Sequence, residues 1–564
     1  MGRDVLKSSL LNASFSIFFQ IFCRAITFAI NAFILRNVEH DVLGIMNVRL
    51  LLLESTLLFL SKESISRAAL SSTTQQKNKC SWAQLINQMW ITVPMCCILA
   101  LPCLYIWLNV LSPVNDIHQS AYKFGCIAMV ISCIFELTAE APAFVGQVFC
   151  FVKLKVILDT IHIFVRSSVF VILVMNNKSI AIYAFGIAQF TSCLTIIVGN
   201  YLFFHIYIKR LKIYRDVLKK YDNDKEKARN EVGIYYENMQ DFPFNSVIDM
   251  IPGVLKNPGS IFNSDLNILV LSFIKQGILK QVLTEGEKYV MSISPVLDFK
   301  QQATYDVVNN MGSLAARFIF RPIEDSSYFY FTQTIARDIP LKDQDKEKVK
   351  EASKVLRNVC KGVTSIGLIG FVFGQSYAGT VLLLYGGQEF VAGGLPELLL
   401  RWHALAIILL AVNGITEGYM FATNTSKQID TYNYYMAIFS VTFLLLSYQL
   451  TNLFGPVGFI LANCCNMAFR ITYSTSYITK QYKYSSEVPF PLEGLIPGKL
   501  FSFALIVSFI ACKYSEFRIL PKSIIYHILF GGIFTIFTLL AWIIENRDLA
   551  LIAYRKIRNK PSND

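Results

Sequence analysis

The chain has 564 residues, of which 54% are hydrophobic and only 16% are charged, and its formal net charge is +13. A soluble protein of this length needs far more polar surface to cover its core, so the composition excludes a water-soluble enzyme or binding domain. In a membrane protein the basic excess indicates cytosolic loops beside anionic lipid. Membrane lipids, and no nucleic acid, are therefore the expected partners.

Apolar runs close to the roughly 20 residues that cross a bilayer as a helix recur along the whole chain. The first run is too long for the core of a signal peptide and predicts an uncleaved spanning helix. Connections are mostly short, and no alternating pattern indicates a β-barrel. The sequence predicts about fourteen spans, near residues 10–35, 43–60, 90–111, 122–149, 154–175, 180–208, 263–283, 303–334, 359–385, 399–423, 432–449, 453–478, 499–512 and 523–545.

Two longer charged segments, 209–262 and 337–358, interrupt the series of spans. The first follows six predicted helices and precedes eight. We therefore expect an all-α polytopic fold with two six-helix lobes around a central cavity plus a C-terminal helix pair. The predicted domains are an N-terminal lobe at 1–208, a cytosolic linker loop at 209–262, a C-terminal lobe at 263–478, and the helix pair with a basic cytosolic tail at 479–564.

The basic residues predict the orientation of the chain. If both termini and every second loop lie on one side, most of the 52 Lys and Arg residues collect there. By the positive-inside rule that side is cytosolic, and so are both termini. The thirteen cysteines form no CxxC pair and mostly lie in apolar runs, so no metal site and no cofactor are expected.

Ionisable side chains recur at helical spacing within several predicted spans. Each costs roughly 2.5–3.5 kcal/mol at mid-helix, so such groups usually face a cavity or a partner. The arginine fork forms paired hydrogen bonds with phosphate and stays charged, so these stripes predict a cavity for an anionic substrate. The predicted substrate-binding residues are Arg24, Asn31, Arg166, Asn310, Arg317 and Arg470.

A second set of residues is assigned to structure or gating. Pro322 lies within the eighth run and predicts a kink about one turn earlier, near Arg317. Glu63 precedes Arg67 by four residues, the favourable order for an ion pair on a helix. The full set is Glu63, Arg67, Asp306, Pro322, Glu324 and Glu417. The alternative for both sets, that the charges only neutralise one another between packed helices, stays open at this point.

Several segments resemble the requiring-fifty-three (Rft) family. The segment Tyr305 to Ser326, YDVVNNMGSLAARFIFRPIEDS, is similar nearly position for position to the family's YDLVNNLGSLVARFIFQPIEES. Arg321 stands where the family segment has Gln. Segments 61–70, 413–417 and 462–472 also resemble the family, so the resemblance covers nearly the whole chain.

The resemblance implies an endoplasmic-reticulum membrane protein of the multidrug/oligosaccharidyl-lipid/polysaccharide exporter superfamily. It also implies translocation of the dolichol-pyrophosphate-linked Man5GlcNAc2 oligosaccharide from the cytosolic to the lumenal leaflet for N-glycosylation. The cationic cavity fits the pyrophosphate, and alternating access would carry it across. No enzymatic activity and no catalytic residue are expected, and a monomer is expected.

Two other functions remain open on the sequence. The first is a binding or accessory protein of the lipid-linked oligosaccharide pathway that does not itself transport the lipid. The second is a membrane glycosyltransferase, which would need carboxylates near a sizeable lumenal loop. The predicted lumenal loops are short, and Glu285 and Glu287 lie in a plain polar turn, so this class is ranked last.

Overall fold

The computed structural model describes residues 25–74, 81–149, 151–220, 242–255, 260–293, 296–314, 316–337, 339–483 and 488–547. Over these residues the chain is almost entirely helical and has no strand, which confirms the all-α prediction. Two compact units follow each other along the chain, Met1–Pro295 and Val296–Asp564.

The first unit contains nine helices among its described residues. They are α1 (Ala25–Asn37), α2 (His40–Leu70), α3 (Trp82–Val110), α4 (Asp116–Leu137), α5 (Glu140–Val148), α6 (Val152–Asn176), α7 (Ala181–Lys220), α8 (Ser264–Thr284) and α9 (Gly286–Ile293). The predicted span 122–149 is in fact two helices, α4 and α5. Pro142 explains the break, because proline lacks an N–H and its ring clashes with the carbonyl four residues earlier, at Thr138.

An aromatic cluster holds the predicted linker segment against the first unit. Phe242 and Phe244 are fully buried, and their rings pack against each other with centroids 5.4 Å apart. The Trp90 indole donates a hydrogen bond to the Met250 carbonyl at 2.8 Å. Residues 242–255 therefore pack onto the helices of the first unit instead of forming a free loop.

Helix α8 also packs within the first unit, against the second half of α2. Leu266 and Val270 of this helix are buried in the same cluster as Met250. The boundary between the compact units consequently falls after Pro295, whereas the C-terminal lobe was predicted to begin at residue 263. The predicted division into two transport lobes, a linker loop and a C-terminal helix pair remains a prediction.

The second unit contains eight helices among its described residues. They are α10 (Phe299–Gly312), α11 (Arg321–Thr334), α12 (Lys346–Val391), α13 (Leu395–Thr423), α14 (Ser426–Phe454), α15 (Val457–Gln481), α16 (Lys499–Arg518) and α17 (Ile524–Glu545). Gly387 interrupts α12 with a φ of 82°, a conformation that glycine adopts without strain.

The predicted span 303–334 is a broken helix. α10 ends at Gly312, a π-helical turn covers Ala316–Phe320, and α11 begins with Pro322 in its first turn. The π-helical turn contains Arg317, near which the sequence predicts a kink, whereas α10 itself already ends at Gly312. Gly312 is required there because a Cβ atom would lie within 2.6 Å of the His403 ring nitrogen Nδ1.

Ten helices of the described chain are long and apolar enough to cross a membrane. This confirms a multi-pass membrane protein, but the predicted count of fourteen is not confirmed. Three other predicted spans correspond to helices that are too short or too polar for that criterion, namely α8, the broken helix α10–α11, and α15. Residues 10–24 of the predicted span 10–35 lie outside the described residues, and α1 covers only its described part.

Candidate functional site

Arg317 lies in the π-helical turn between α10 and α11, and its side chain is exposed. Its Nη2 donates a hydrogen bond of 3.4 Å to Oδ1 of Asn310, whose Nδ2 donates to Oδ2 of Asp306 at 3.3 Å. No carboxylate among the described residues forms a salt bridge with Arg317. The Asn310 amide thus stands between Asp306 and Arg317, and the guanidinium charge stays available to an anion.

Arg470 lies in a different electrostatic environment on α15. It forms a salt bridge with Glu417 of α13, and the two side chains are only 23% and 10% exposed. Glu417 also accepts hydrogen bonds from the Tyr432 hydroxyl at 2.6 Å and from Asn413 Nδ2 at 3.3 Å. A carboxylate with three donors holds the arginine charge in place, so Arg470 is committed to a structural pair in this conformation.

A cavity of about 350 Å³ opens beside this pair. Its lining includes Arg321 and Glu324 from the first turn of α11, together with Glu417 and Arg470. The Glu324 carboxylate lies so close to Gly414 of α13 that any Cβ at that position would overlap it. Two residues assigned to gating, Glu324 and Glu417, are thus brought together with the predicted substrate contact Arg470.

Arg166 of α6 is also paired, within the first unit. Its Nη1 donates to Oε1 of Gln189 at 3.0 Å and lies 3.5 Å from Oε2 of Glu54. Gln189 Nε2 closes the triangle by donating to Oε1 of Glu54 at 2.7 Å. We call Glu54, Arg166 and Gln189 the polar triad. Sequence reasoning missed Glu54, although a lone carboxylate inside the predicted span 43–60 was a usable signal.

The segment that follows the second predicted span contains the ion pair expected from its spacing. Glu63 Oε1 lies 2.6 Å from Arg67 Nη2, and both side chains are partly exposed. Lys62 of the same segment lies 3.5 Å from the Glu140 carboxylate, which also accepts a hydrogen bond of 2.8 Å from Ser66. These contacts tie the end of α2 to the break between α4 and α5.

Two predicted substrate contacts remain, Asn31 and Arg24. Asn31 is exposed on α1. Arg24 lies outside the described residues. Among the described residues, no group of three or more His, Cys, Asp or Glu side chains is arranged to hold a metal ion.

Comparisons with known proteins give consistent matches over almost the full length. The model of the family described as Rft protein matches residues 8–556. The Man(5)GlcNAc(2)-PP-dolichol translocation protein RFT1 of Drosophila melanogaster is 60% identical over 556 residues, which covers 98% of this chain and 99% of that protein. The protein of the same name from Xenopus tropicalis is 37% identical over 97% of this chain and 96% of its own length.

Solved structures are similar in fold at low sequence identity. A lipid II flippase MurJ in an inward closed conformation has a TM-score of 0.60 at 11% identity, covering 95% of this chain and 99% of its own. An inward-facing multidrug resistance transporter of the MATE family, a member of the MOP superfamily, has a TM-score of 0.50 at 11% identity, covering 81% and 95%. This chain therefore has the fold of these transporters.

Proposed function

Because the chain belongs to the Rft protein family, we propose that it translocates Man(5)GlcNAc(2)-PP-dolichol from the cytosolic to the lumenal leaflet of the endoplasmic reticulum. The observation that carries the proposal is 60% identity, across nearly the whole chain, to a protein named for that translocation. The proposed localisation is the endoplasmic-reticulum membrane, with both termini cytosolic. The protein is proposed to act as a transporter, without catalytic residues and as a monomer.

The proposed contact for the substrate headgroup is Arg317. A diphosphate carries negative charge on several oxygens, and an arginine fork forms paired, charge-assisted hydrogen bonds with such a group. Arg317 is exposed and without a carboxylate partner among the described residues, whereas Arg166 and Arg470 are held by Glu54 and Glu417. This difference supports a division of roles, in which Arg317 binds substrate and the paired arginines organise each unit.

Polar groups around Arg317 suit the sugar portion of the same lipid. The Asn310 amide already positions the guanidinium and has further hydrogen-bonding capacity for hydroxyl groups. Short π-helical turns inside helices occur frequently at functional sites, and Arg317 lies in such a turn. Arg24 and Asn31 remain proposed contacts by the same sequence argument.

Alternating access is the proposed mechanism. The cationic contacts would open to the cytosolic leaflet, bind the diphosphate headgroup, and then open to the lumenal leaflet. Glu324, Glu417 and Pro322 remain gating proposals, since the break in the α10–α11 helix gives this region a place to bend.

Reconstitution tests the proposal directly. Purified protein in liposomes is expected to accelerate translocation of fluorescent Man(5)GlcNAc(2)-PP-dolichol well above the rate in protein-free liposomes. The same vesicles report binding, so the accessory-protein alternative predicts saturable binding with an unchanged translocation rate. Equal translocation with and without protein would contradict the proposed function.

A further inference from the structure

A basic cavity of about 540 Å³ lies in the second unit, where α11, α14 and α15 end or begin. Arg337 and Lys342 contribute from the segment after α11, and Lys480 contributes from the last turn of α15. None of the described residues that line the cavity is acidic. Three cations around one cavity produce a positive potential that attracts a polyvalent anion.

The three cations are held in different ways. Arg337 is anchored, because its Nε donates to the Ala422 carbonyl at 3.1 Å and its Nη2 donates to the Tyr328 hydroxyl at 3.3 Å. These acceptors are uncharged, so the arginine keeps its full charge. Lys342 and Lys480 are exposed and form no salt bridge with a carboxylate among the described residues. Both lysines are therefore available to an anionic ligand.

The wall that carries Arg337 and Lys342 is ordered by one side chain. Gln344 Nε2 donates to the carbonyls of Ala336 at 2.9 Å and Ile339 at 2.6 Å, and its Oε1 accepts from the Ala336 N–H at 3.1 Å. These three hydrogen bonds hold the backbone of Ala336 and Ile339 in place. A preorganised wall lowers the entropic cost of binding.

The opposite wall is the N-terminal end of α14. Thr425 and Gln428 form a reciprocal capping box, in which the Thr425 N–H donates to Gln428 Oε1 at 3.0 Å. The helix dipole places partial positive charge at this end, which adds to the attraction of the three side chains for an anion.

We propose that this cavity binds the phosphate-bearing headgroup of an anionic membrane lipid. The chemistry recognised is a phosphate monoester with two negative charges. A lipid source is favoured because the cavity lies at the N-terminal end of α14, a helix apolar enough to cross a membrane, on the side predicted to be cytosolic. In addition, its rim carries the apolar side chain of Ile339, which is 48% exposed. The site is separate from the proposed transport of the lipid-linked oligosaccharide and does not depend on it.

Lipid titration of the full-length protein in detergent tests the site. Short-chain phosphatidic acid is the probe, short-chain phosphatidylcholine is the zwitterionic control with no net charge, and inorganic pyrophosphate tests for a soluble ligand. Binding is followed by the rise in unfolding temperature. The double variant Lys342→Gln, Lys480→Gln is expected to weaken phosphatidic acid binding roughly thirtyfold, since one lysine near anionic lipid contributes roughly a fivefold factor.

Two further variants make the result interpretable. Lys354→Gln removes an exposed lysine of α12 that does not line the cavity, and its affinity is expected to match that of the unmodified protein. The double variant Lys342→Arg, Lys480→Arg keeps the charge and is expected to retain binding. Unchanged affinity in the glutamine double variant, or equal binding of phosphatidylcholine, would overturn the proposal. Tight binding of pyrophosphate without binding of phosphatidic acid would overturn the lipid assignment.

Discussion

The broken helix around Arg317 and the cavity beside Arg470 belong to the same unit, yet they treat an arginine in opposite ways. Arg317 is exposed, donates a hydrogen bond to the neutral Asn310 amide at 3.4 Å, and forms no salt bridge among the described residues. Arg470 is mostly buried and is bound by a carboxylate that also accepts bonds from Tyr432 and Asn413. Both arginines come from similar polar stripes. A stripe therefore indicates that a charge is present in a span, whereas only its partners show whether that charge is available to a ligand.

The largest effect on stability is expected when the buried salt bridge between Glu417 and Arg470 is removed. Glu417→Ala removes the only carboxylate that forms a salt bridge with Arg470 among the described residues and leaves a buried, uncompensated guanidinium. Loss of one partner of a buried pair costs roughly 3–5 kcal/mol, so we expect a large fall in the unfolding temperature in detergent. Asp430→Ala, at an exposed position on α14, serves as the control and is expected to change stability little. A Glu417→Ala protein as stable as the Asp430→Ala protein would refute the structural role of the pair.

A smaller effect is expected from two glycines on α13 that lie one turn apart. Gly414→Ala places a Cβ where the Glu324 carboxylate lies, and because the end of this flexible side chain can shift, we expect a cost of roughly 1 kcal/mol, the low end for overpacking. Gly418→Ala is the matched control, because no atom lies within 4 Å of the new Cβ there. Alanine in a helix interior is favoured over glycine by roughly 0.5–1 kcal/mol, so the control is expected to be neutral or stabilising. Thermal unfolding of both variants measures the difference, and equal stabilities would show that Glu324 is not fixed against α13.

The smallest effect is expected at the exposed salt bridge between Arg357 and Glu493, which is neither an arginine without a salt bridge among the described residues, like Arg317, nor a buried pair like that of Arg470. Arg357 donates from Nη2 to Glu493 at 2.7 Å, and these hydrogen bonds lower the pKa of the Glu493 carboxyl below its ordinary value of 4.5. Because the folded-state pKa is lowered, the stabilisation is present above pH 4.5 and disappears as the pH falls through the folded-state pKa. An exposed pair contributes less than about 1 kcal/mol.

The variant Glu493→Gln tests this pH dependence. The unmodified protein is expected to unfold at a slightly higher temperature than the variant at neutral pH, and the difference is expected to vanish in acid. A difference that grows as the pH falls would reverse the sign and contradict the assigned pair.

Much of the architecture could be predicted from the sequence, because helix length, apolar runs and proline positions are local properties. The π-helical turn before Pro322 and the Glu63–Arg67 salt bridge are examples, since both depend on residues within about one helical turn. The split at Pro142 was available by the same reasoning, although the prediction kept 122–149 as one span.

The partners of the intramembrane charges could not be predicted in this way. Arg166 meets Glu54 from a different helix, and Arg470 meets Glu417 although 53 residues separate them. Such pairs depend on tertiary packing. The spacing of residues along one helix does not show which residue of another helix they contact. The basic cavity was missed for a related reason, since Arg337, Lys342 and Lys480 become neighbours only when the ends of α11 and α15 meet.

The proposed transport depends most on recognition of the headgroup by Arg317. Translocation of the lipid-linked oligosaccharide in proteoliposomes should be compared for Arg317→Gln, Arg317→Lys and Arg518→Gln, the last an exposed arginine at the end of α16. A hydrogen bond to a charged group contributes about 1.5–3 kcal/mol, so Arg317→Gln is predicted to lower the rate at limiting substrate by roughly tenfold or more. Arg317→Lys is predicted to retain part of the rate, and Arg518→Gln nearly all of it. Arg317→Gln vesicles that translocate the lipid as fast as Arg518→Gln vesicles would contradict the account.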